Sequence, residues 1–381
     1  MKLSKLYTDF TNSEKTAGIV LLLCTILSLA ISNSAIAQNY LHLFHFEIAH
    51  KQIEFWVNDG LMTIFFLLVG LEIEREVYIG ELSNIRKSLL PIIAAIGGML
   101  VPALIHFSMN SGTSTQSGFG IPMATDIAFS LAILSLLGKR VPASLKVFLT
   151  ALAIIDDLGA IVVIALFYSK GFSSLYFGIA IGLFGLMLVL NRLKVYRIWL
   201  YLLIGMVMWF CMYRSGIHAT ITGVFLAFAV PFGKGDEDSI SYRLQHKLHL
   251  PVAFIILPLF ALANTAITIP TGILNDLSTP NSYGIIYGLL VGKPVGVFLF
   301  SILGITIGWC TLPEGVKKRH LLLTGLLAGI GFTMSIFITL LAYSDPTIIT
   351  TSKVAVIIGS VISAILGYLG LRFTLKTQTV E

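Results

Sequence analysis

Two adjacent acidic residues, Asp156 and Asp157, stand in the middle of a strongly apolar stretch that runs from Ala151 to Leu166. Apolar residues extend for more than one helical turn on both sides, so neither carboxyl group reaches water at a helix end. One Asp at the centre of a membrane helix costs about 2.5 to 3.5 kcal/mol on insertion scales, and the pair costs about 5 to 7 kcal/mol. Carboxyl groups in such a position usually face a water-filled cavity and belong to an ion or proton path. The alternative is a packed, protonated pair that bonds to neighbouring helices.

The composition is that of a membrane protein with many spans. Of 381 residues, 56% are hydrophobic and 12% are charged, against about 25% charged in an ordinary soluble domain. Cys24, Cys211 and Cys310 have no metal-like spacing, so neither a disulfide framework nor a zinc site is indicated. The net charge of +6 is spread over short loops rather than gathered in a patch. We therefore predict the lipid bilayer as a partner, no nucleic-acid partner, no cofactor and no enzyme activity.

Twelve apolar segments are long enough to be predicted as spans, because about 20 apolar residues cross about 30 Å of hydrocarbon. They are residues 17–33, 54–71, 88–108, 119–138, 145–168, 173–191, 198–212, 217–233, 250–270, 284–309, 321–343 and 353–372. The seventh and eighth are short and close together, so eleven is the lower count. Most of the 25 Lys and Arg residues fall on the same side as the N-terminus, which predicts a single multi-pass transmembrane domain over 1–381 with both termini in the cytoplasm.

Two of these spans contain residues that weaken a helix. The fourth has Gly118, Gly120 and Pro122 just before a buried acid, and the eleventh has Gly329 and Gly331. Small residues can merely allow close packing of helices. However, the triplets of spans over about 88–168 and 284–372 each have a broken middle member and cross the membrane in opposite directions. This pattern predicts inverted-topology repeats, with the interrupted helices crossing at mid-membrane and the site at the interface of the repeats.

Two more buried charges fit this arrangement. Opposed ends of half-helices leave partial charges of about half a unit at mid-membrane, and Asp126 and Lys293 have the right signs to balance them. Lys293 lies about nine residues inside its span, which is too deep for its ammonium group to reach the surface easily. We expect this ammonium group to face the helix bundle, paired with Asp156 or with a helix end.

At these residues the chain resembles the NhaA family of bacterial sodium/proton antiporters, which is itself an example of inverted repeats. The matching motifs are Ala124-Thr125-Asp126-Ile127-Ala128-Phe129, Ala153-Ile154-Ile155-Asp156-Asp157-Leu158-Gly159-Ala160, Gly292-Lys293-Pro294, Gly329-Ile330-Gly331-Phe332-Thr333-Met334-Ser335, Phe66 to Glu76 and Ser215-Gly216-Ile217-His218-Ala219-Thr220. They occur in the expected order along nearly the whole chain. The resemblance implies a homodimeric exchanger of the bacterial inner membrane that expels Na+ or Li+ by means of inward proton flow.

The resemblance also implies roles for individual residues. Asp156 and Asp157 match the carriers of the ion and the proton, so they are the predicted Na+ ligands, with Thr125 beside them. Asp126 and Lys293 match the buried compensating charges. The residues that match the pH-responsive cytoplasmic funnel of the family are Glu72, Arg75, Glu76, His246 and His249. Gln245 departs from the pattern, which usually has Glu there, and a neutral side chain cannot titrate.

Two further features are less informative. The first outer loop, Ser34 to Ile53, hints at strand-like alternation over Leu41 to Phe46 and is not a clear match to the dimer hairpin of the family. A metal site made of the three histidines of this loop is not favoured, because only one acid lies nearby. His218 matches the family, but a single His among Gly and Thr is more often a hydrogen-bonded core residue.

The predicted function is electrogenic, pH-regulated exchange of cytoplasmic Na+ or Li+ for external protons, in the service of sodium and pH homeostasis. A cation channel and an exchanger for another cation, such as potassium or calcium, remain alternatives. An intramembrane aspartyl protease also needs two buried Asp residues. Its Gly-x-Gly-Asp signature is absent, because Phe332 follows Gly329-Ile330-Gly331.

Overall fold

The structure, a computed structural model, describes residues 2–169, 171–269, 272 and 276–375, and for residues 2–14 and 85–87 it describes the backbone alone. Within these residues the chain is almost entirely helical, and ten helices are long and apolar enough to cross a membrane. A pair of shorter helices, bent by 51° at a break, provides an eleventh span. The predicted fold class, an all-α polytopic membrane protein, is confirmed.

The elements follow one another with short connections. Before residue 84 they are α1 (Lys2–Ser32), α2 (Ala37–His45), β1 (Glu47–Ile48), β2 (Lys51–Gln52), α3 (Ile53–Phe55), a π-helical segment (Trp56–Leu61), α4 (Met62–Tyr78) and a 3₁₀ turn (Glu81–Ser83). Up to residue 230 they are α5 (Ile85–Met109), a 3₁₀ segment (Gln116–Met123), α6 (Ile127–Ser135), a 3₁₀ turn (Gly138–Arg140), α7 (Ala143–Phe167), α8 (Ser174–Arg192), α9 (Ile198–Ser215) and α10 (Ile221–Ala229).

The remaining described elements include two more π-helical segments. They are α11 (Ile240–Pro251), a π-helical segment (Val252–Ile256), α12 (Leu257–Asn264), α13 (Pro280–Tyr287), a π-helical turn (Gly288–Gly292), α14 (Lys293–Thr306), α15 (Lys318–Ala328), α16 (Phe332–Ala342) and α17 (Pro346–Thr374). Local chemistry explains several of the helix starts. Thr279 caps α13 and Asp345 caps α17, each through its side-chain oxygen, and a proline follows each cap.

Two compact units make up the chain. The first comprises Met1–Asn33, Asn84–Ala160 and Ile267–Glu381, and the second comprises Ser34–Ser83 and Ile161–Ala266. Nearly all of the predicted repeats, 88–168 and 284–372, falls in the first unit. The inverted relation between the repeats stays a prediction.

Glycine allows the helices of the first unit to approach one another at backbone distance. A Cβ atom added to Gly296 in α14 would lie 2.1 Å from the carbonyl oxygen of Gly97 in α5, and one added to Gly97 would lie 2.3 Å from the carbonyl oxygen of Gly296. In the second unit, a Cβ atom on Gly223 in α10 would lie 2.2 Å from the Thr63 carbonyl oxygen in α4. Membrane helices commonly pack through small residues in this way, because apolar side chains gain little by leaving lipid.

The described residues provide ten spans, or eleven with the bent pair, which agrees with the lower predicted count of eleven rather than with twelve. The predicted span 217–233 is the nine-residue helix α10, about 14 Å long, which is too short to cross the hydrocarbon region. It is separate from α9, which ends at Gly216 in the left-handed conformation with φ 82°. Residue 270, where the ninth predicted span ends, lies outside the described residues.

The prediction of a strand over Leu41 to Phe46 is wrong, because these residues mostly belong to helix α2. A contact between residues four apart supports the helix: the rings of Tyr40 and Phe44 meet edge to face, 5.3 Å apart. A small hairpin does follow, in which β1 pairs with β2 in antiparallel fashion. Its turn has no glycine, and Ala49 and His50 adopt positive φ values of 52° and 62° instead.

The contact between Gly296 and Gly97 predicts a sharp cost for one added methyl group. We expect Gly296→Ala to lower the midpoint of thermal unfolding in detergent by several degrees, because the new Cβ atom meets a backbone carbonyl that cannot turn aside. Gly182→Ala in α8 is the matched control, since a Cβ atom there meets nothing within 4 Å. Equal midpoints for the two variants would show that the close approach of α5 and α14 is not structurally important.

Candidate functional site

Two interrupted helices of the first unit meet at their breaks. The first interruption lies between the 3₁₀ segment that contains Pro122 and the start of α6, and the second lies between α15 and α16. The backbone N–H of Asp126 donates to the Ile330 carbonyl oxygen at 2.7 Å, and Ser335 Oγ donates to the Ile121 carbonyl oxygen at 2.6 Å. Backbone groups released by each break are therefore bonded by the other, which is how non-helical backbone is tolerated inside a membrane protein.

The glycines at the second break are closely packed against their neighbours. A Cβ atom on Gly329 would lie 2.4 Å from the Leu289 carbonyl oxygen, and one on Gly331 would lie 2.0 Å from Ser335 Oγ. At the first break, Pro122 packs against Gly288, and a Cβ atom added to Gly288 would lie 2.5 Å from the Pro122 Cβ atom. The predicted helix-weakening residues Pro122, Gly329 and Gly331 thus lie at or beside the two breaks, in tight contact with the rest of the unit.

Asp156 and Lys293 form an ion pair beside these breaks. Lys293 Nζ lies 2.8 Å from Asp156 Oδ2, and both side chains are fully buried. The ammonium group also donates to the Met123 carbonyl oxygen, at the end of the 3₁₀ segment. Within the described part of the chain, the second carboxylate oxygen of Asp156, Oδ1, has no hydrogen-bond partner. That oxygen has lone pairs available to a cation.

Thr125 connects the ion pair to the second break. Its single hydroxyl group lies 2.7 Å from Asp156 Oδ2 and 2.8 Å from the Ala328 carbonyl oxygen. A hydroxyl group has one proton to donate, so Thr125 can satisfy one of these acceptors at a time and offers its lone pairs to a third group. The hydroxyl group and the two neighbouring carbonyl groups, those of Met123 and Ala328, are oxygen ligands of the kind that small hard cations prefer.

Asp157 follows Asp156 in α7 and is also buried, with 1% of its surface exposed. Adjacent residues of a helix point about 100° apart, so the two carboxyl groups have different surroundings. The carboxylate of Asp157 is near enough to attract the Lys293 ammonium group. The predicted Na+ ligands and the predicted cation therefore lie together in the structure.

Asp126 lies at the first break but is occupied by other bonds. Its Oδ1 accepts the backbone N–H of Phe129 at 3.0 Å as the N-cap of α6. Its Oδ2 accepts the backbone N–H of Thr333 at 3.1 Å and also the Thr333 hydroxyl group, both at the start of α16. Asp126 thus faces the N-terminal ends of two helices, where a negative charge is stabilised by the helix dipoles.

The residues predicted for the pH response lie in the second unit, and the structure brings some of them together. The Arg75 guanidinium group stacks over the ring of Tyr242 at 4.9 Å, and the same ring lies parallel to that of His246 at 6.2 Å. Glu76 Oε2 accepts the backbone N–H of Glu81 at 2.9 Å. Glu72 and His249 are half-buried and make contacts of their own.

Sequence reasoning missed three features of these sites. The carbonyl groups of Met123 and Ala328 carry no signal, because every residue has a carbonyl group. Tyr242 could have been found from its position one helical turn before His246. Glu74 is the most buried acid of the second unit, with 6% of its surface exposed. It stands two residues after Glu72 in the motif Phe66 to Glu76, where it could have been noticed.

His218 is a hydrogen-bonded residue of the interior, as the sequence predicts. Its Nε2 lies 2.9 Å from the Tyr168 carbonyl oxygen in the second unit, and the side chain is half-buried. Across the described residues, no group of three or more His, Cys, Asp and Glu side chains is arranged to hold a metal ion. A cation at the Asp156–Asp157 site would therefore depend on hydroxyl and carbonyl oxygens in addition to the two carboxylates.

Fold and site together define a polytopic helical membrane protein with ionisable groups buried where two interrupted helices meet. The chain belongs to the Na+/H+ antiporter 1 family, which it matches over residues 8–371. The resemblance seen in the sequence motifs is thus confirmed.

Similar proteins match the chain over nearly its whole length. The Na(+)/H(+) antiporter NhaA of Flavobacterium psychrophilum is 58% identical over 381 residues, which cover 100% of this chain and 99% of the relative. A protein of the same name from Dechloromonas aromatica is 59% identical over 376 residues, or 98% of this chain and 97% of the relative. Another, from Vibrio campbellii, is 44% identical over 377 residues, or 98% of this chain and 96% of the relative.

The buried ion pair predicts a specific pattern of stability. We expect Asp156→Asn to lower the unfolding midpoint in detergent, because a buried charge left without its partner costs about 3 to 5 kcal/mol. Replacing both residues, as Asp156→Asn with Lys293→Met, should recover most of that loss, since neither member of the Asp156–Lys293 pair is then left charged without the other. A single variant as stable as the parent, or a double variant less stable than the single, would contradict this account of the pair.

Proposed function

We propose that the protein is a secondary transporter that exchanges cytoplasmic Na+ for external protons and so serves sodium and pH homeostasis. The observation that carries the proposal is the fully buried Asp156–Lys293 pair beside Asp157, where two interrupted helices meet. Membership of the family supports it, and so do the names of the relatives. Buried ionisable residues of this kind usually mark a transport path.

In this proposal protons and sodium compete for the same oxygen atoms. Asp157 receives the cation first, and Asp156 then leaves Lys293 and becomes the second carboxylate ligand. Thr125 and the carbonyl groups of Met123 and Ala328 supply the remaining oxygens near Asp156. If the site changes sides only when it is loaded with sodium or protonated, competition alone produces exchange.

We further propose that the exchange is electrogenic and accepts Li+ as well as Na+. More than one titrating group serves a single monovalent ion in this site, so proton and sodium charges need not balance in one cycle. Each charge moved is worth about 2.3 kcal/mol per 100 mV of membrane potential. Li+ is another small, hard, monovalent cation, so it suits the same oxygen ligands.

Regulation by pH is proposed for the second unit. Glu72, Arg75, Glu76, His246 and His249 include acids and histidines near one end of α4 and in α11. The Tyr242 ring contacts both the Arg75 guanidinium group of α4 and the His246 ring of α11, which supports coupling between the two helices. Gln245 contributes no titrating group here.

Localisation and assembly also remain proposals. The asymmetry of Lys and Arg supports an inner-membrane protein with both termini in the cytoplasm. The hairpin of β1 and β2 supports a homodimer, because Phe46 and Ile48 are well exposed and a two-stranded sheet has unpaired edges. The hairpin would then pair with its copy in a second chain.

The exchange can be tested in inside-out vesicles with an acidic interior. We expect added NaCl or LiCl to raise the internal pH, because cations enter in exchange for protons, whereas potassium and choline chloride should not. Asp157→Asn should abolish the response, since it removes the first ligand. The internal pH is followed with a fluorescent dye between about pH 6.5 and 9.

Each alternative has its own outcome in this assay. Sodium flux without a proton gradient and without saturation would indicate a channel, and a response to potassium or calcium alone would indicate a different cation. A sodium response that survives in Asp157→Asn would remove Asp157 from the site.

Voltage dependence tests the assignment of Asp156 and Lys293. We expect the double variant Asp156→Asn with Lys293→Met to lose sodium transport or its dependence on membrane potential, because a charged pair inside the membrane is removed. Initial rates in vesicles are compared at clamped potassium diffusion potentials. Transport with parental voltage dependence would show that the pair has no part in the cycle.

A further inference from the structure

A buried histidine closes the first turn of α15. The backbone N–H of Lys317, the residue before the helix, donates to His320 Nδ1 at 3.1 Å, and the His320 N–H donates in return to the Lys317 carbonyl oxygen at 2.8 Å. In a capping box the third residue of a helix accepts this same N–H, usually through a Glu or Gln side chain. His320 takes that part here, with 3% of its surface exposed.

The hydrogen bond from Lys317 fixes the protonation state of the His320 ring. A backbone N–H can only donate, so His320 Nδ1 must offer a lone pair, and the single ring proton of the neutral imidazole must lie on Nε2. Nε2 is itself buried. The cap therefore exists only while the His320 ring is neutral.

Protonation of His320 would break the cap. Both nitrogens of an imidazolium ring are donors, so the new Nδ1–H would face the Lys317 N–H. The added positive charge would also lie in the first turn of α15, where the helix dipole is already positive. Both effects drive a protonated ring out of its place, and the Lys317 N–H then loses its acceptor.

The surroundings of His320 offer no buried negative charge within the described residues. The groups whose charges act on the ring are Arg319 and Lys317, and both are positive. α15 packs against α6, α14, α17 and the π-helical turn before α14, and neither α6 nor this turn has a charged residue. The other charged residues of α14, α15, α17 and the segment before α15 include one acid, which is exposed; they are Lys293, Lys318, Lys353, Arg372 and Glu314.

α15 connects this cap to the ion site in one unbroken helix. At the end opposite the cap, the Ala328 carbonyl oxygen lies 2.8 Å from Thr125 Oγ1, which lies 2.7 Å from Asp156 Oδ2. His320 and Ala328 are eight residues apart, or about 12 Å along the helix axis. A helix of this length moves as a unit, so a change at its first turn also displaces the carbonyl group at its last turn.

We propose that His320 is an acid-sensitive cap of α15, which holds the Ala328 carbonyl group at the site while the ring is neutral and releases it when the ring is protonated. Imidazole takes up its proton near pH 6.5, approximately, in water. The cap thus stabilises α15 above about that pH, and this contribution is lost as the pH falls below it. Opening of the first turn is a property of the chain alone, and its effect on sodium exchange rests on the proposed function.

Two substitutions separate acceptance of the hydrogen bond from titration. His320→Gln keeps an acceptor at the third residue of the helix but cannot be protonated, so it should hold the cap at every pH. His320→Leu has neither property and should hold the cap at none. His42→Gln is the matched control, since it removes an exposed histidine of the second unit.

Amide hydrogen exchange in lipid nanodiscs without sodium measures the first turn directly. Each rate is divided by that of an unstructured amide at the same pH, so that the ordinary effect of pH cancels. Between about pH 8 and about pH 5.5, we expect protection of residues 320–323 to fall at least about fivefold in the parent and in His42→Gln. Protection should stay constant in His320→Gln and be low at both pH values in His320→Leu.

Sodium-driven proton exchange at saturating sodium tests the effect on the site. We expect His320→Gln and the parent to have equal rates at about pH 8.5, where the ring is neutral in both measurements. At about pH 6 the variant should exceed the parent at least about twofold, because its cap is still in place.

The outcomes distinguish the cap from the function of the site. A parent whose protection does not change with pH, or a His320→Gln variant that loses protection as the parent does, would overturn the inference. Equal transport rates at about pH 6 would overturn the connection between the cap and the site. A parent without sodium-driven exchange would overturn the proposed function, whereas the expected hydrogen-exchange result would still support the cap.

Discussion

The ion pair between Lys293 and Asp156 is the interaction on which the arrangement of the first unit depends. Either charge alone would cost several kcal/mol in apolar surroundings, and neither side chain reaches water. The pair therefore fixes three segments at one point: α7, which carries Asp156; the span that carries Lys293; and the 3₁₀ segment that offers the Met123 carbonyl group. Apolar packing alone would specify this point less well, because lipid is as good an environment for Leu as another helix.

The helix breaks follow from the need for oxygen atoms at that point. An unbroken helix uses its carbonyl groups in its own hydrogen-bond ladder, so it has few left for a lysine or a cation. The two breaks release carbonyl groups such as those of Met123 and Ala328, and bonds such as Asp126 N–H to Ile330 satisfy the groups that are not needed. Glycine at 329 and 331 then allows the breaks to lie close enough for these bonds.

Many residues of the site can be predicted from the sequence, because charged and helix-weakening residues interrupt otherwise apolar segments. Acids at 126, 156 and 157, a lysine at 293, and proline and glycine inside spans all stand out, and the all-helical polytopic class follows from the spans themselves. The hydropathy of residues 217–233 predicts a span where the structure has the short helix α10, because apolar residues beside this helix extend the signal. The alternation over Leu41 to Phe46 predicts a strand where the structure has α2, a helix in which no residue is buried. The three π-helical segments left no signal in the sequence pattern.

Exchange of one cation for another explains why a lysine suits this site. A buried ion pair contributes little net stability, because desolvation offsets most of its Coulomb attraction. In the proposed cycle sodium replaces the ammonium group at Asp156, so the carboxylate keeps a positive partner and the electrostatic cost of the exchange is small. The ammonium group keeps the Met123 carbonyl group as its acceptor and the nearby Asp157 carboxylate as an attracting charge. In this cycle Lys293 therefore leaves Asp156 without becoming an isolated buried charge.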